Sequence, residues 1–133
     1  MSFLLDTDTC SAHLKRPAGL SHRFIQHSGR LHLPAIGLGE LYTWAYHRSN
    51  PAPVIQAIEN NLLPTVTVLD FDSDAAKQFG QLRGQLLRQG ISVSRMDLMI
   101  AAIALVHNLT LVTHNTADYR HVPGIRLDDW LVP

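Results

Sequence analysis

Two aspartates follow the first apolar run of the chain. Asp6 and Asp8 come directly after Phe3-Leu4-Leu5, and that run has the length and composition of a short buried strand. Much later in the chain, Asp118 lies five residues after an apolar segment that ends at Thr113. If both segments are parallel strands, their carboxyl ends open onto the same edge of one sheet. Ligands usually bind at that edge in sheets of this kind.

Two further carboxylates lie in segments with helical periodicity. Asp97 is in the first turn of a helix predicted from Arg95 to Asn108, and Glu40 is near the start of one predicted from Leu38 to His47. The first of these helices is apolar nearly all round, so we expect Asp97 to project toward apolar surroundings. The sequence therefore holds four acidic segments that a folded sheet could bring to one edge.

Each carboxylate also has a simpler interpretation. Asp6 or Asp8 could cap the helix that follows, and Ser94 with Asp97 has the form of a capping box. Asp118 could make an Asx turn, and Glu40 could be a charge on the surface of a half-buried helix. In combination, however, clustered acids repel one another. Such a cluster either raises the pKa values of its members or binds a cation.

The elements that would position these acids alternate along the chain. Strands are predicted at Phe3–Leu5, Leu31–Leu33, Thr65–Leu69, Leu109–Thr113 and Ile125–Leu127. The other predicted helices are Thr9–Lys15, Leu20–His27, Val54–Leu63 and Asp72–Gln89. Alternation of this kind predicts an α/β sandwich, a mainly parallel sheet flanked by helices. The length of 133 residues predicts a single domain over residues 1–133.

Composition narrows the class of protein. Eleven Lys and Arg balance eleven Asp and Glu, which argues against a strongly basic nucleic-acid wrapper or a polybasic membrane binder. The longest uncharged apolar run, Leu98–Val106, has nine residues, and a membrane span needs about 20. With a single cysteine, Cys10, and no apparent signal peptide, we expect a cytoplasmic protein that does not enter the membrane.

Clustered carboxylate oxygens suit Mg²⁺ or Mn²⁺. One or two such ions can activate a water molecule and neutralise the charge that develops on a phosphodiester. Arg95 and Arg120 each lie within two residues of a proposed acidic ligand and are the candidates for binding substrate phosphate. A salt bridge that steadies the acid is the alternative for both, and the sequence leaves that choice open.

Four segments together resemble the PIN domain, a family of nucleases. The matching segments are Leu4 to Asp8, Glu40 within its helix, Met96 to Ala102, and Leu111 to Tyr119. The segment Val122 to Ile125 and the pair Asp129-Trp130 are similar to the end of bacterial VapC-type toxins. The resemblance implies a three-layer PIN-like sandwich and a metal-dependent endoribonuclease. It also implies the toxin of a toxin–antitoxin pair, acting as a homodimer on RNA and silenced by a cognate antitoxin.

The resemblance also implies roles for single residues. Asp6, Glu40, Asp97 and Asp118 would be the acidic quartet that holds Mg²⁺ or Mn²⁺ and carries catalysis. Thr113 and Asn115 match a Thr-x-Asn motif that would support the site by hydrogen bonds. Asp8 departs from the family pattern, which usually has Asn there, so its place is either as an additional ligand or as a supporting residue.

Two other functions fit parts of the sequence. Asp6-Thr7-Asp8 also resembles the motif of haloacid-dehalogenase-like phosphatases, but that motif calls for Thr or Val where Cys10 stands. The chain is also short for that fold with its cap. A catalytically silent PIN-like module that binds RNA or protein is the second alternative.

Overall fold

A five-stranded parallel sheet lies at the centre of the molecule. The structure, a computed structural model, describes residues 1–132. Its strands are β1 (Phe3–Leu5), β2 (Leu31–Pro34), β3 (Thr67–Leu69), β4 (Thr110–Val112) and β5 (Leu127–Asp128). They lie in the order β3-β2-β1-β4-β5, and every neighbouring pair is parallel. The predicted parallel sheet is confirmed.

The strand order reverses beside the central strand. From β1 the chain proceeds outward to β2 and β3, then crosses back to place β4 on the opposite side of β1. In open parallel sheets the crevice at such a reversal point is where ligands bind. Leu5 of β1 is in register with Val112 of β4, so the residues that follow them, Asp6 and Thr113, emerge side by side at the carboxyl edge.

Within residues 1–132, six α-helices cover the two faces of the sheet. They are α1 (Thr7–Lys15), α2 (Pro17–Gln26), α3 (Ala35–His47), α4 (Ala52–Ala57), α5 (Ser73–Arg88) and α6 (Arg95–Val106). Alternate residues of the central strands face opposite layers, as the pleat requires. Leu4 and Leu111 pack with the buried residues of α5 and α6, whereas Leu5 and Val112 pack with those of α1 to α3. The predicted three-layer sandwich is therefore confirmed.

Local capping explains where the best-predicted helices begin and end. The Asp72 carboxylate accepts the N–H of Ala75 at 2.9 Å, and Ser94 Oγ accepts the N–H of Asp97 at 3.1 Å. Each bond satisfies a backbone donor that has no partner within its helix. After α5, Gly90 has φ of +70°, a conformation that a glycine adopts without steric cost.

Other boundaries differ from the sequence-based prediction. The helices α1, α2 and α3 begin two or three residues earlier than predicted. The helix predicted over Val54–Leu63 is α-helical only to Ala57 and continues as a π-helical turn, Ile58–Leu62. Strand β3 begins at Thr67, two residues later than predicted, because Thr65 belongs to the preceding 3₁₀ turn. In that turn the Thr65 hydroxyl donates to the Leu62 carbonyl at 2.6 Å.

The last strand lies further along the chain than the predicted Ile125–Leu127. Strand β5 is Leu127–Asp128, because the ladder with β4 fixes its register. The Leu111 N–H donates to the Arg126 carbonyl, and the Thr113 N–H donates to the Asp128 carbonyl, both at 2.9 Å. This register brings the acidic Asp128-Asp129 pair to the carboxyl edge of the sheet.

Helix α3 approaches the start of α1 closely at Gly37. A Cβ at this position would lie 3.3 Å from Thr7 Oγ1 and 3.3 Å from Pro34 Cγ, closer than most side chains tolerate. The missing side chain therefore lets the first turn of α3 rest against the residue that follows Asp6. Glu40 lies about one turn further along the same helix.

Candidate active site

Asp6 lies at the end of β1 and caps helix α1. Its Oδ1 accepts the N–H of Thr7 at 2.9 Å, which confirms the capping interpretation of this residue. Its Oδ2 accepts the hydroxyl of Thr113 at 2.8 Å, and the hydroxyl of Tyr119, whose single proton is shared with Asp97, lies 3.3 Å away. The side chain is 8% exposed. Asp6 is thus a capping residue and, at the same time, a nearly buried carboxylate at the reversal point of the sheet.

The carboxylate of Asp97 turns toward the same place. Its backbone N–H is capped by Ser94, but its Oδ1 accepts the hydroxyl of Tyr119 at 3.2 Å. The predicted capping box is therefore present on the Ser94 side, while the Asp97 carboxylate is directed to the site. The Asp6 and Asp97 carboxylates both lie within 3.3 Å of one phenolic oxygen.

Asp8 connects the start of α1 to the segment that follows β4. Its Oδ1 accepts the N–H of Thr9 at 2.7 Å. Its Oδ2 accepts the N–H of His114 at 2.9 Å and the side-chain amide of Asn115 at 3.3 Å. Thr113 Oγ1, which donates to Asp6, also accepts the N–H of Asn115 at 3.1 Å. Thr113 and Asn115 thus hold Asp6 and Asp8 in place.

An open cavity of about 360 Å³ lies at this edge of the sheet, and we call it the acidic cavity. Four carboxylates from three helical segments contribute to its wall. Its lining residues are Asp6, Thr7, Asp8, Ser11, Glu40, Met96, Asp97, Ile100 and Asn115. The structure therefore brings together Asp6, Glu40 and Asp97 of the predicted quartet, together with Asp8 and Asn115.

Asp118 is not brought to the acidic cavity. It is exposed, in the 3₁₀ turn Thr116–Tyr119, and lines a neighbouring cavity of about 620 Å³ with Asp97, Arg120 and His121. Asp97 belongs to both walls and is the connection between the two cavities. Of the predicted substrate-binding residues, Arg120 adjoins Asp97, whereas Arg95 lines a third cavity beside α5.

The electrostatics of Asp6 reflect its surroundings. Burial is the largest cause that raises the pKa of Asp6 above its ordinary value, and the charges of Asp8 and Asp97 raise it further. The hydrogen bonds from Thr113 and from the Thr7 N–H oppose this shift. Burial and the same carboxylates also raise the pKa of Tyr119, so its hydroxyl is a neutral donor. The site is a set of like charges held by neutral donors.

By ligand chemistry, these residues fit a hard divalent cation. All of the donors are oxygens, the type that Mg²⁺ and Mn²⁺ prefer. Across residues 1–132 the single ion pair within 4.0 Å joins His114 and Asp129, so no Lys or Arg neutralises the acidic cavity by direct contact. In the same residues, no three His, Cys, Asp or Glu groups stand close enough to hold one ion. Ion binding therefore requires the carboxylates to draw closer together.

Tyr119 is the site residue that sequence reasoning missed. It ends the last segment that matches the family, Leu111 to Tyr119, and its ring is buried, 1% exposed, in the core beneath α6. The sequence could have indicated it by residue type, because the hydroxyl of a buried tyrosine needs a hydrogen-bond partner. Here the partners are two of the predicted acids.

A family profile described as "PIN domain" matches residues 3–125. The chain belongs to the PIN-domain family. This PIN domain is 36% identical over 131 residues to a "tRNA(fMet)-specific endonuclease VapC" of Shigella flexneri, and the match covers 98% of each chain. It is 31% identical to a "Ribonuclease VapC2" of Haemophilus influenzae, with 98% of this chain and 99% of that protein covered.

A solved structure shows the same arrangement of the whole PIN domain. The crystal structure of DNA-bound VapBC from Salmonella typhimurium superposes with a TM-score of 0.91 at 35% identity, over 98% of each chain. The predicted resemblance to VapC-type members of the family is confirmed, and it extends over nearly the full length. The family assignment also removes the basis for the phosphatase interpretation of Asp6-Thr7-Asp8.

Proposed function

We propose that this VapC-type PIN domain is an endoribonuclease that depends on Mg²⁺ or Mn²⁺ and hydrolyses RNA phosphodiester bonds. The observation that carries the proposal is the convergence of the Asp6 and Asp97 carboxylates on one hydroxyl at the reversal point of the sheet. Within residues 1–132, no cationic side chain is in ion-pair contact with either carboxylate. Like charges kept this close oppose folding, and clusters of this kind are typical of functional sites. The VapC relatives are named as ribonucleases and endonucleases.

In this proposal Asp6, Glu40 and Asp97 hold the ion, and Asp118 contributes from the neighbouring cavity. Thr113 orients Asp6, and Asn115 orients Asp8. Asp8 supports the site by joining the start of α1 to the segment after β4. When bound, the ion supplies electrostatic stabilisation of the charge that develops on the phosphodiester. One of the carboxylates that line the acidic cavity takes the proton of the attacking water.

Arginines beside the acids would bind the substrate backbone. Arg120 lines the cavity that shares Asp97 with the acidic cavity, and Arg95 lines the next one. The loop of residues 91–94 forms a wall common to both. A single RNA strand that passes from Asp97 along this loop would bring successive phosphates to the two guanidinium groups, which suit phosphate oxygens.

We also propose that the protein is the toxin of a toxin–antitoxin pair and acts as a homodimer. The structural relative from Salmonella typhimurium is a VapBC assembly. On this chain, α4 contains no buried residue despite its sequence APVIQA, and Tyr46 of α3 is 66% exposed. These apolar surfaces of α3 and α4 are where we expect a second copy and an antitoxin helix to pack.

For its location we propose the cytoplasm, where an RNA substrate and a cognate antitoxin are available. Within residues 1–132 no helix combines the length and apolar character needed to cross a membrane.

The test of the enzymatic activity uses the purified full chain and single-stranded RNA. We expect cleavage with Mn²⁺ or Mg²⁺ that stops on addition of EDTA, and a Mn²⁺-dependent rise in melting temperature because the ion binds only the folded protein. Cleavage undiminished in EDTA would contradict the metal mechanism. RNA left intact together with no thermal response to Mn²⁺ would indicate a silent binding module. Release of phosphate from monoesters would restore the phosphatase alternative.

The test of the toxin role is made in cells. Expression of the chain alone should slow growth, and co-expression of a neighbouring open reading frame should restore growth. Light scattering on the purified chain should give the mass of a dimer. Overproduction without harm, a monomeric mass and no co-purifying partner would together count against the toxin role and leave the nuclease chemistry standing.

A further inference from the structure

The hydroxyl of Tyr119 occupies the gap between two carboxylates of the proposed metal site. The ring is buried in the core beneath α6, and the oxygen reaches the edge of the sheet. It lies 3.3 Å from Asp6 Oδ2 and 3.2 Å from Asp97 Oδ1. We propose that Tyr119 is a positioning residue, whose hydroxyl holds the Asp97 carboxylate toward Asp6 so that both can engage one divalent cation. This inference rests on the proposed metal dependence.

The hydrogen bonds show which of the two acids depends on Tyr119. Asp6 is also held by the N–H of Thr7 and by the hydroxyl of Thr113, at 2.9 and 2.8 Å, so its orientation does not require Tyr119. The Asp97 carboxylate, among residues 1–132, accepts a hydrogen bond from Tyr119 alone. Its other oxygen, Oδ2, is left for a ligand. Removing the phenolic hydroxyl should therefore release Asp97 and leave Asp6 in place.

Repulsion gives this hydrogen bond a function in the ion-free protein. The charges of Asp8 and Asp97 already act unfavourably on Asp6, so a freed Asp97 side chain would rotate away from it. An arriving cation would then have to restore the orientation at a cost in side-chain entropy. A carboxylate that is already turned toward its partner has less side-chain freedom to lose when the carboxylates draw together around the ion, so the ion binds more tightly.

The substitution Tyr119→Phe removes only the hydroxyl and keeps the buried ring. The matched control is Tyr42→Phe, because the Tyr42 hydroxyl also donates to a carboxylate, that of Glu59 at 3.1 Å, but on an exposed surface of α3. Calorimetric titration of Mn²⁺ into the metal-free full chain should give a Kd about tenfold higher for Tyr119→Phe, the lower end of what losing one hydrogen bond to a charged group costs. For Tyr42→Phe we expect a change below about twofold.

Two further measurements separate positioning from simple support of the fold. The melting-temperature rise at a fixed, subsaturating Mn²⁺ concentration should be smaller in Tyr119→Phe than in the control, even if the substitution lowers the starting temperature. RNA cleavage by Tyr119→Phe should be low at limiting Mn²⁺ and recover toward the wild-type rate as Mn²⁺ is raised, with KM for RNA unchanged. A residue that only stabilised the fold would not give a loss that Mn²⁺ rescues.

Each outcome bears on the inference. An unchanged or lower Kd in Tyr119→Phe, with or without a lower melting temperature, would overturn it while the proposed function stands. A wild-type protein that cuts RNA but binds neither Mn²⁺ nor Mg²⁺ would overturn both the metal dependence and the role of Tyr119. A rise in Kd confined to Tyr119→Phe, with rescue by Mn²⁺, is the result that we expect.

Discussion

Two groups of acidic residues follow β1 and β5, the strands on either side of β4, and they are stabilised in different ways. After β5, Asp128 accepts the indole N–H of Trp130 at 3.1 Å, and Asp129 accepts the N–H of Leu131 at 2.9 Å. Asp129 also pairs with His114 at 2.9 Å. The acids of this C-terminal turn therefore have hydrogen-bond donors from the turn itself and an imidazole from the segment after β4.

After β1, the acids receive hydrogen-bond donors but, within residues 1–132, no His, Lys or Arg side chain in ion-pair contact. Asp6 has hydrogen bonds from Thr7, Thr113 and Tyr119, and yet its pKa is raised by burial and by the carboxylates beside it. The comparison teaches that satisfying hydrogen bonds is different from neutralising charge. The C-terminal turn has an imidazole in hydrogen-bond contact with one of its acids, whereas the acidic cavity has no His, Lys or Arg side chain in ion-pair contact within residues 1–132, which leaves it suited to a cation from solution.

The largest expected effect comes from Asp97→Asn. If the acidic cavity binds a divalent ion, RNA cleavage should fall by at least about 100-fold, the range for losing a catalytic electrostatic group. Most of the Mn²⁺-induced stabilisation should also disappear. The melting temperature of the ion-free protein should stay level or rise, because one of the mutually repelling charges is gone. Cleavage assays and melting curves with and without Mn²⁺ measure all three.

Asp129→Asn is the matched control for that experiment. It makes the same chemical change at the end of β5 and should leave both cleavage and the Mn²⁺ response within about twofold of wild type, because Asp129 does not line the acidic cavity and its exposed ion pair contributes little. A destabilised Asp97→Asn protein that cuts RNA at the wild-type rate would return Asp97 to a purely capping role.

A smaller effect is expected from Asp118→Asn. This carboxylate is exposed and lines the neighbouring cavity, where solvent weakens its interaction with an ion in the acidic cavity. We expect a loss of cleavage of about tenfold or less, with most of the Mn²⁺ stabilisation retained. A loss as large as that of Asp97→Asn, with the Mn²⁺ response abolished, would show that the 3₁₀ turn carrying Asp118 moves in when the ion binds.

Acid pH should weaken the aromatic layer that packs beneath the C-terminal turn. His13 is buried with its Nδ1 unpartnered within residues 1–132 and stacks on Phe24 at 3.7 Å between ring centroids. Burial lowers its pKa below the ordinary 6.5, so the unfolded chain binds more protons as the pH falls below 6.5. Stability is therefore fully present above that pH and is lost below it, by up to about 1.4 kcal/mol for each unit of pKa shift.

The substitution His13→Leu measures this loss. Urea unfolding at pH 7 and pH 5 should show a smaller drop in the free energy of unfolding for His13→Leu than for wild type. His22→Leu, at an exposed position of α2, is the control and should keep the wild-type drop. Equal drops in all three proteins would remove His13 as a source of acid sensitivity.

The smallest effect is expected from breaking the ion pair of the C-terminal turn. His114 is 54% exposed and Asp129 is 16% exposed, so solvent screens the pair and Asp129→Asn should cost at most about 1 kcal/mol of stability. The same unfolding measurement tests it. A cost well above that value would mean that the turn contributes more to the fold than a surface ion pair does.

The sequence by itself determined the parts that depend on near neighbours. Apolar runs, helical periodicity and caps such as Ser94 act over a few residues, which is why the α/β class, the strand segments and the start of α6 follow from the sequence. The predicted end of β1 also gave the position of Asp6 at the edge of the sheet. The predicted parallel pairing put the segment after Thr113 beside Asp6, as the register of β1 with β4 shows. The motifs together were specific enough to indicate the family.

Tertiary structure alone decided which side chains meet. The hydrogen bonds from Thr113 and Tyr119 to Asp6 join residues 107 and 113 positions apart, and no local pattern encodes a contact over that separation. Whether Asp97 faces Ser94 or Asp6, and whether Asp118 faces the acidic cavity, depends on how the 3₁₀ turn packs against α6. Such choices are made by burial and repulsion among groups that come together only when the sheet and its helices have closed around them.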